Sequence, residues 1–119
     1  MDTGPLRAVP MTVATAKVFA ALLDHPHRPS YGLALIRETG LSSGTLYPLL
    51  GRLVRMGYLK RSWEDIDPAK AGRPRRCLYI FTTDGAKTAA EQLGKLRSEL
   101  KSAPATGGIA EAGGLLGGT

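Results

Sequence analysis

Only Gly40, Leu41 and Ser42 separate two stretches of helical periodicity, and this short gap constrains the fold more than any other feature of the 119 residues. Upstream, "PSYGLALIRETG" places Leu33, Leu35 and Ile36 on a short helix, with Ser30 as its expected N-cap and Gly40 as its stop. Downstream, "LSSGTLYPLLGRLVRMG" is capped by Ser42. Leu41 before that cap and Leu46 four residues after it match a hydrophobic staple, and Gly57 ends the helix. So short a link holds the two helices together as one unit.

The flanking segments complete the pattern. After a proline-bounded leader, "MTVATAKVFAALLDHP" puts Val13, Ala16, Ala20 and Leu23 at helical spacing with Phe19 beside them, and Pro26 lies just past the end. "YLKRSWE" and "RRCLYIF" are short β-type runs separated by the charged, turn-rich "DIDPAKAGRP", which predicts a hairpin with a long tip. A last helix follows Thr83, in which Ala89, Leu93, Leu96, Leu100 and Ala103 recur in steps of four and three, the spacing of a packing seam. Three helices followed by a two-stranded hairpin is the order of a winged helix-turn-helix. The predicted fold class is therefore mainly α with a small β-hairpin: a winged helix-turn-helix over residues 1–82, a C-terminal dimerisation helix over 83–103, and a disordered Gly/Ala-rich tail over 104–119.

The helix after Ser42 contains Gly44, Pro48 and Gly51, although an interior glycine costs about 1 kcal/mol relative to alanine and a proline about 3. At 100° per residue, Leu46, Leu49, Leu50 and Leu53 cluster on the side that must be buried. The opposite side carries Gly44, Pro48, Gly51, Arg52 and Arg55, flanked by Thr45 and Tyr47. Such a face is shallow in its first turns and cationic in its last, which suits close approach to a major groove. Two blander readings stand beside it: Gly44 and Pro48 only shape a bent first turn, and Gly51 only admits a neighbouring side chain. The hairpin tip "AGRPRR" adds Arg73, Arg75 and Arg76 around a stiffening proline. These could clamp phosphates or enter a minor groove, or form a solvated charge run.

Charge and composition narrow the function classes. Sixteen Lys and Arg against ten Asp and Glu give a formal charge of +6, with the cationic excess concentrated between Arg52 and Arg76. The single cysteine, Cys77, excludes an internal disulfide framework and reads as a small core residue. No apolar run approaches the roughly 20 residues needed to span a bilayer, and "MDTGPLRAVPM" lacks the apolar core of a signal peptide, so the expected compartment is the cytoplasm, with no membrane partner. No catalytic constellation is found, and no cofactor is expected. His25 and His27 do not have zinc spacing with Cys77, and Glu64, Asp65 and Asp67 read as partners of the wing arginines rather than metal ligands.

From Tyr31 to Ala89 the sequence resembles the PadR-like transcriptional regulators of bacteria: "YG" opening the second helix, "SGTLYPLLGRL" in the third, "WED" leading into the wing, "GRPRR" at its tip and "TTDG" opening the last helix. The resemblance implies a homodimer made through the C-terminal helix and repression by binding a palindromic operator. It marks Tyr31 as a phosphate contact, Ser43, Thr45, Tyr47 and Pro48 as the DNA-facing start of the recognition helix, and Arg73 and Arg75 as wing arginines. With the helix-start residues Ser30 and Ser42, and with Gly44, Arg52 and Arg55, these form the expected contact set for double-stranded DNA. Ala89, Leu93, Leu96 and Leu100 form the expected dimer seam, and a small-molecule inducer would fit between that seam and the first helix. Some short relatives bind drugs through a tryptophan on the last helix, whereas the only tryptophan here is Trp63, before the wing. The alternatives to a sequence-specific regulator are a winged-helix protein-interaction module and a non-specific architectural DNA-binding protein.

Overall fold

The computed structural model describes residues 6–102. In order, these form α1 (Val13–Leu23), β1 (Ser30–Tyr31), α2 (Gly32–Thr39), α3 (Ser43–Arg55), β2 (Leu59–Trp63), α4 (Pro68–Ala71), β3 (Cys77–Phe81) and α5 (Thr83–Ser102). The tail assigned to 104–119 and Ala103 of the seam lie outside the described residues. The architecture is the predicted one, mainly helical with a winged hairpin. Its sheet has three strands rather than two, all antiparallel, in the order β1-β3-β2.

The third strand corrects the reading of Ser30. This residue caps no helix: its backbone pairs with Tyr79 while Tyr31 pairs with Leu78, and Tyr31 takes the N-cap position of α2 without a side-chain cap bond. The ladder on β3 holds Ser30 in the sheet, outside the cap position, and buries it. Two isolated residues carry no strand periodicity, so this pairing left no mark on the sequence. Gly40 ends α2 in the left-handed region at φ 74°, a conformation that costs glycine little. Ser42 caps α3 as expected, its Oγ accepting from the Thr45 amide at 3.3 Å.

One core joins all the larger elements. Val18, Phe19 and Leu22 of α1, Leu35 of α2, Leu46, Leu50 and Leu53 of α3, Tyr58, Leu59, Tyr79 and Phe81 around the sheet, and Ala89 and Leu93 of α5 are buried together. Phe19 stacks on Tyr58 with ring centroids 5.5 Å apart and tilts against Phe81 at 6.2 Å. Of the apolar residues spaced along α1, Ala16, Ala20 and Leu23 pack half-buried against this core. Val13 is 72% exposed, and the buried side is Thr15, Val18, Phe19 and Leu22. Alanine, valine and threonine fill both sides of this helix, so spacing alone could not rank them. Leu33, one of the apolar residues of α2, is exposed.

The seam expected on α5 divides in two. Ala89 and Leu93 belong to the monomer core, Leu96 packs at its edge, and Leu100 is 68% exposed. The first half of α5 is thus part of the winged domain, and the boundary drawn at residue 83 passes through a continuous core. Thr82 caps this helix, accepting from the Gly85 amide at 2.8 Å. The Tyr58 hydroxyl donates to the Arg7 carbonyl and accepts from Gln92 Nε2 at 2.6 Å, so leader, strand and α5 meet at one phenol.

Candidate nucleic-acid interface

The leucines of α3 decide how this helix is presented. Leu46, Leu50 and Leu53 are fully buried and Leu49 is half-buried against the core, which leaves Ser43, Gly44, Thr45, Tyr47, Pro48, Arg52 and Arg55 exposed. An added Cβ at Gly44 would meet nothing within 4 Å, and at Gly51 it would meet only the mobile end of Arg55 at 3.4 Å. Packing within the monomer therefore requires glycine at neither position. Pro48 has no N–H, so the carbonyl of Gly44 lacks its usual intrahelical donor. Exposed N–H groups at the Ser42 end carry the positive end of the helix dipole, which favours an anion.

Tyr47 flanks this surface at 46% exposure, and its position depends on Gly32. A Cβ at Gly32 would fall 2.1 Å from the Tyr47 hydroxyl oxygen, so the ring lies on α2 only because residue 32 has no side chain. Tyr31, Gly32, Tyr47, Cys77 and Tyr79 line one depression between the helix-turn-helix and the wing, with Arg76 at its rim. The Arg76 guanidinium sits 4.1 Å from the centre of the Tyr31 ring, a cation–π contact that joins the wing to the start of α2.

The wing is held by one carboxylate. Glu64 accepts from Arg73 through two parallel bonds of 2.7 and 2.9 Å and from the Arg76 amide at 3.0 Å. The hydrogen bond from Arg73 chiefly holds the Glu64 carboxyl down at about 2, against an ordinary value of 4.5, and Glu64 in turn raises the pKa of Arg73. Asp67 caps the short helix α4, accepting from the Ala69 amide at 3.0 Å. Of the acidic cluster, Glu64 is thus in an ion pair, Asp67 in a cap, and Asp65 is exposed. Arg75 donates from Nε to the Ile66 carbonyl at 3.0 Å, which leaves the outer edge of its guanidinium facing solvent.

The expected DNA-facing residues consequently fall into three groups. Ser42, Ser43, Gly44, Thr45, Tyr47, Pro48, Arg52 and Arg55 form one exposed surface on α3, and Arg75 lies at the wing. Tyr31 is half-buried under Arg76, and Arg73 is tied to Glu64. Ser30 is 4% exposed and presents almost nothing to a duplex.

Residues 21–91, more than half of the chain, match the model of the transcriptional regulator PadR-like family. This chain belongs to that family. Among solved structures, smu.1704 from Streptococcus mutans UA159 is 27% identical, with a TM-score of 0.60 over 80% of this chain and 87% of that one. A PadR family transcriptional regulator from Eggerthella lenta DSM 2243 shares the fold at 22% identity and TM-score 0.58, over 75% of this chain and 80% of the other. So does AbfR, a Staphylococcus epidermidis protein solved bound to DNA in its overoxidized form. It is 24% identical with TM-score 0.58, over 76% of this chain and 60% of that one. No curated protein matches the chain. The PadR-like family is one of transcriptional regulators, which is not a class of enzymes, and among the described residues no helix is long and apolar enough to cross a membrane.

Proposed function

We propose that this PadR-like chain is a homodimeric, cytoplasmic repressor that binds a palindromic operator in double-stranded DNA. In this reading the exposed side of α3 enters the major groove and the wing lies beside it. The observation that carries the proposal is the α3 surface itself: two glycines that no contact in the monomer requires, an exposed proline and two arginines, on a helix whose leucines are all turned inward. Helix propensity has been given up on one face only, and that face suits contact with base edges and phosphates. AbfR, which shares the fold, has been solved on DNA.

The homodimer is supported by an apolar groove between α1 and α5. Val13 and Leu100 stand exposed at its rim, and Met11, Ala16, Ala20 and Leu96 lie along it. A second copy laid on this groove would cover the half of the seam that the monomer leaves open. In such a dimer the two α3 helices should lie about 34 Å apart to meet successive major-groove faces. A small-molecule inducer that entered the same groove would change that distance and release the operator.

A salt titration on the chain's own upstream DNA tests this proposal. With six to ten phosphate contacts, affinity falls about 10³- to 10⁵-fold between 50 and 200 mM salt. A salt-independent affinity, or equal affinity for random and upstream duplexes, would reject a sequence-specific regulator.

A further inference from the structure

Alternate residues along a strand share a face. On β2 this groups Leu59, Arg61 and Trp63, which lie opposite Phe81, Tyr79 and Cys77 of β3. Leu59, Phe81 and Tyr79 are in the core, so this is the inner face of the sheet. The helices cover it only part of the way. Arg61 is exposed and Trp63 is 67% exposed, the larger of the two exposed aromatic rings among the described residues. Beyond Trp63 the same surface continues into a shallow depression shared with Pro68, Pro74 and Arg75. On the other side Tyr47 of α3 borders the depression that contains Cys77 and Tyr79. Tyr47, Arg61, Trp63 and Arg75 thus run in sequence from the recognition helix to the wing tip.

We infer that Arg61 and Trp63 form a backbone-binding strip, where the sugar-phosphate chain passing between the groove entered by α3 and the groove beside the wing rests on the indole and is held by Arg61 and Arg75. This inference rests on the DNA-binding reading above and adds two contacts outside the expected set. Charge selects the occupant. Glu64 is neutralised by Arg73, and the other carboxylates of the hairpin, Asp65 and Asp67, are outnumbered by Lys60, Arg61, Lys70, Arg75 and Arg76, so the surface around the indole is net cationic. An apolar plane between two cations matches a deoxyribose between two phosphates. Contacts of this kind carry no base information, so the strip contributes affinity and register equally on every sequence.

Trp63 is the only tryptophan in the chain, so its intrinsic emission reports on the strip without a label. The full chain is titrated with upstream and random duplexes at fixed salt, with the anisotropy of a labelled duplex as an independent measure of binding. The expected result is a change in Trp63 emission that saturates together with the anisotropy on both duplexes. Trp63→Ala should weaken both by the same factor, and Arg61→Ala, which removes one phosphate contact from each protomer of the dimer, should lower the slope of log affinity against log salt by about 2. Anisotropy that saturates with unchanged emission, or an unaltered salt slope in Arg61→Ala, would overturn the strip while leaving DNA binding intact. Emission that responds to an acidic peptide and not to bound duplex would assign the surface to a protein partner and also overturn it. Failure to bind any duplex would reject the DNA-binding reading, and the strip with it.

Discussion

Gly51→Ala separates two accounts of α3 that a single binding measurement would confuse. Gly51 lies in the middle of a 13-residue helix, where glycine costs about 0.5–1 kcal/mol relative to alanine. The new methyl group would meet only the Arg55 guanidinium at 3.4 Å, a flexible group that can move aside, so no packing penalty offsets the gain. For a domain of this size, a gain of 0.5–1 kcal/mol raises Tm by roughly 2–8 °C. Gly44, with nothing within 4 Å of its Cβ position, should follow in the same direction, with a smaller effect because it lies in the first turn. On DNA the sign reverses. In the proposed complex a methyl at Gly44 stands where the helix approaches base edges, and losing a contact worth about 1–3 kcal/mol would lower operator affinity roughly 5- to 150-fold. Calorimetric melting of both variants, paired with operator titration at fixed salt, gives the two readouts. An unchanged or lower Tm would show that the fold needs these glycines. A higher Tm with undiminished operator affinity would show that the face does not approach DNA.

Three further outcomes follow from contacts described above. The Glu64 carboxyl sits at about 2 in the folded wing, below its ordinary 4.5, so its support is complete above pH 4.5 and is lost as pH falls toward 2. The protection of the Arg76 amide, its exchange rate relative to the intrinsic rate at each pH, should fall over that interval in the native chain and be low at every pH in Glu64→Ala; equal protection in both chains at pH 7 would contradict the clamp. Gly85→Ala places a Cβ 2.0 Å from the Tyr58 carbonyl oxygen and should cost about 1–3 kcal/mol or more by overpacking, whereas Gly94→Ala meets nothing within 4 Å and should stabilise α5; a thermal melt that ranks them the other way would refute this packing. Leu100→Glu should leave the monomer's Tm nearly unchanged but shift sedimentation toward monomer, and a dimer that survives it would place the interface elsewhere.

Where local chemistry alone determines an element, the residues announced it. Ser42, the Leu41–Leu46 pair and Gly57 marked α3 to within a residue, and the inward leucines followed from its 100° steps. The same periodicity placed Gly44, Pro48 and both arginines on the exposed side and Gly51 beside them. What sequence could not supply was any feature created by a distant partner. Ser30 resembles a cap until Tyr79 arrives from residues far along the chain to pair with it. Arg73 looks like a free cation until Glu64 accepts from both of its Nη atoms, and although the acidic cluster suggested such pairing, spacing could not say which carboxylate would form it. The heptad-like spacing of α5 was visible, but a seam looks the same whether it faces a partner or the chain's own core. Only the packing of Ala89 and Leu93 against the domain distinguished the two. Arg61 and Trp63 went unselected because the signal that groups them, strand alternation continuing past the covered part of the sheet, exists only once the register is known.

The two-residue strand at Ser30–Tyr31 has a mechanical consequence. It stitches the beginning of α2 to the far strand of the wing, and the Arg76 guanidinium clasps the same spot from outside. The wing is therefore a buttressed arm of the head and cannot swing as a loose flap. A duplex curving to touch both it and α3 has to bend itself, so discrimination would extend to how readily a stretch of DNA flexes as well as to which bases it displays.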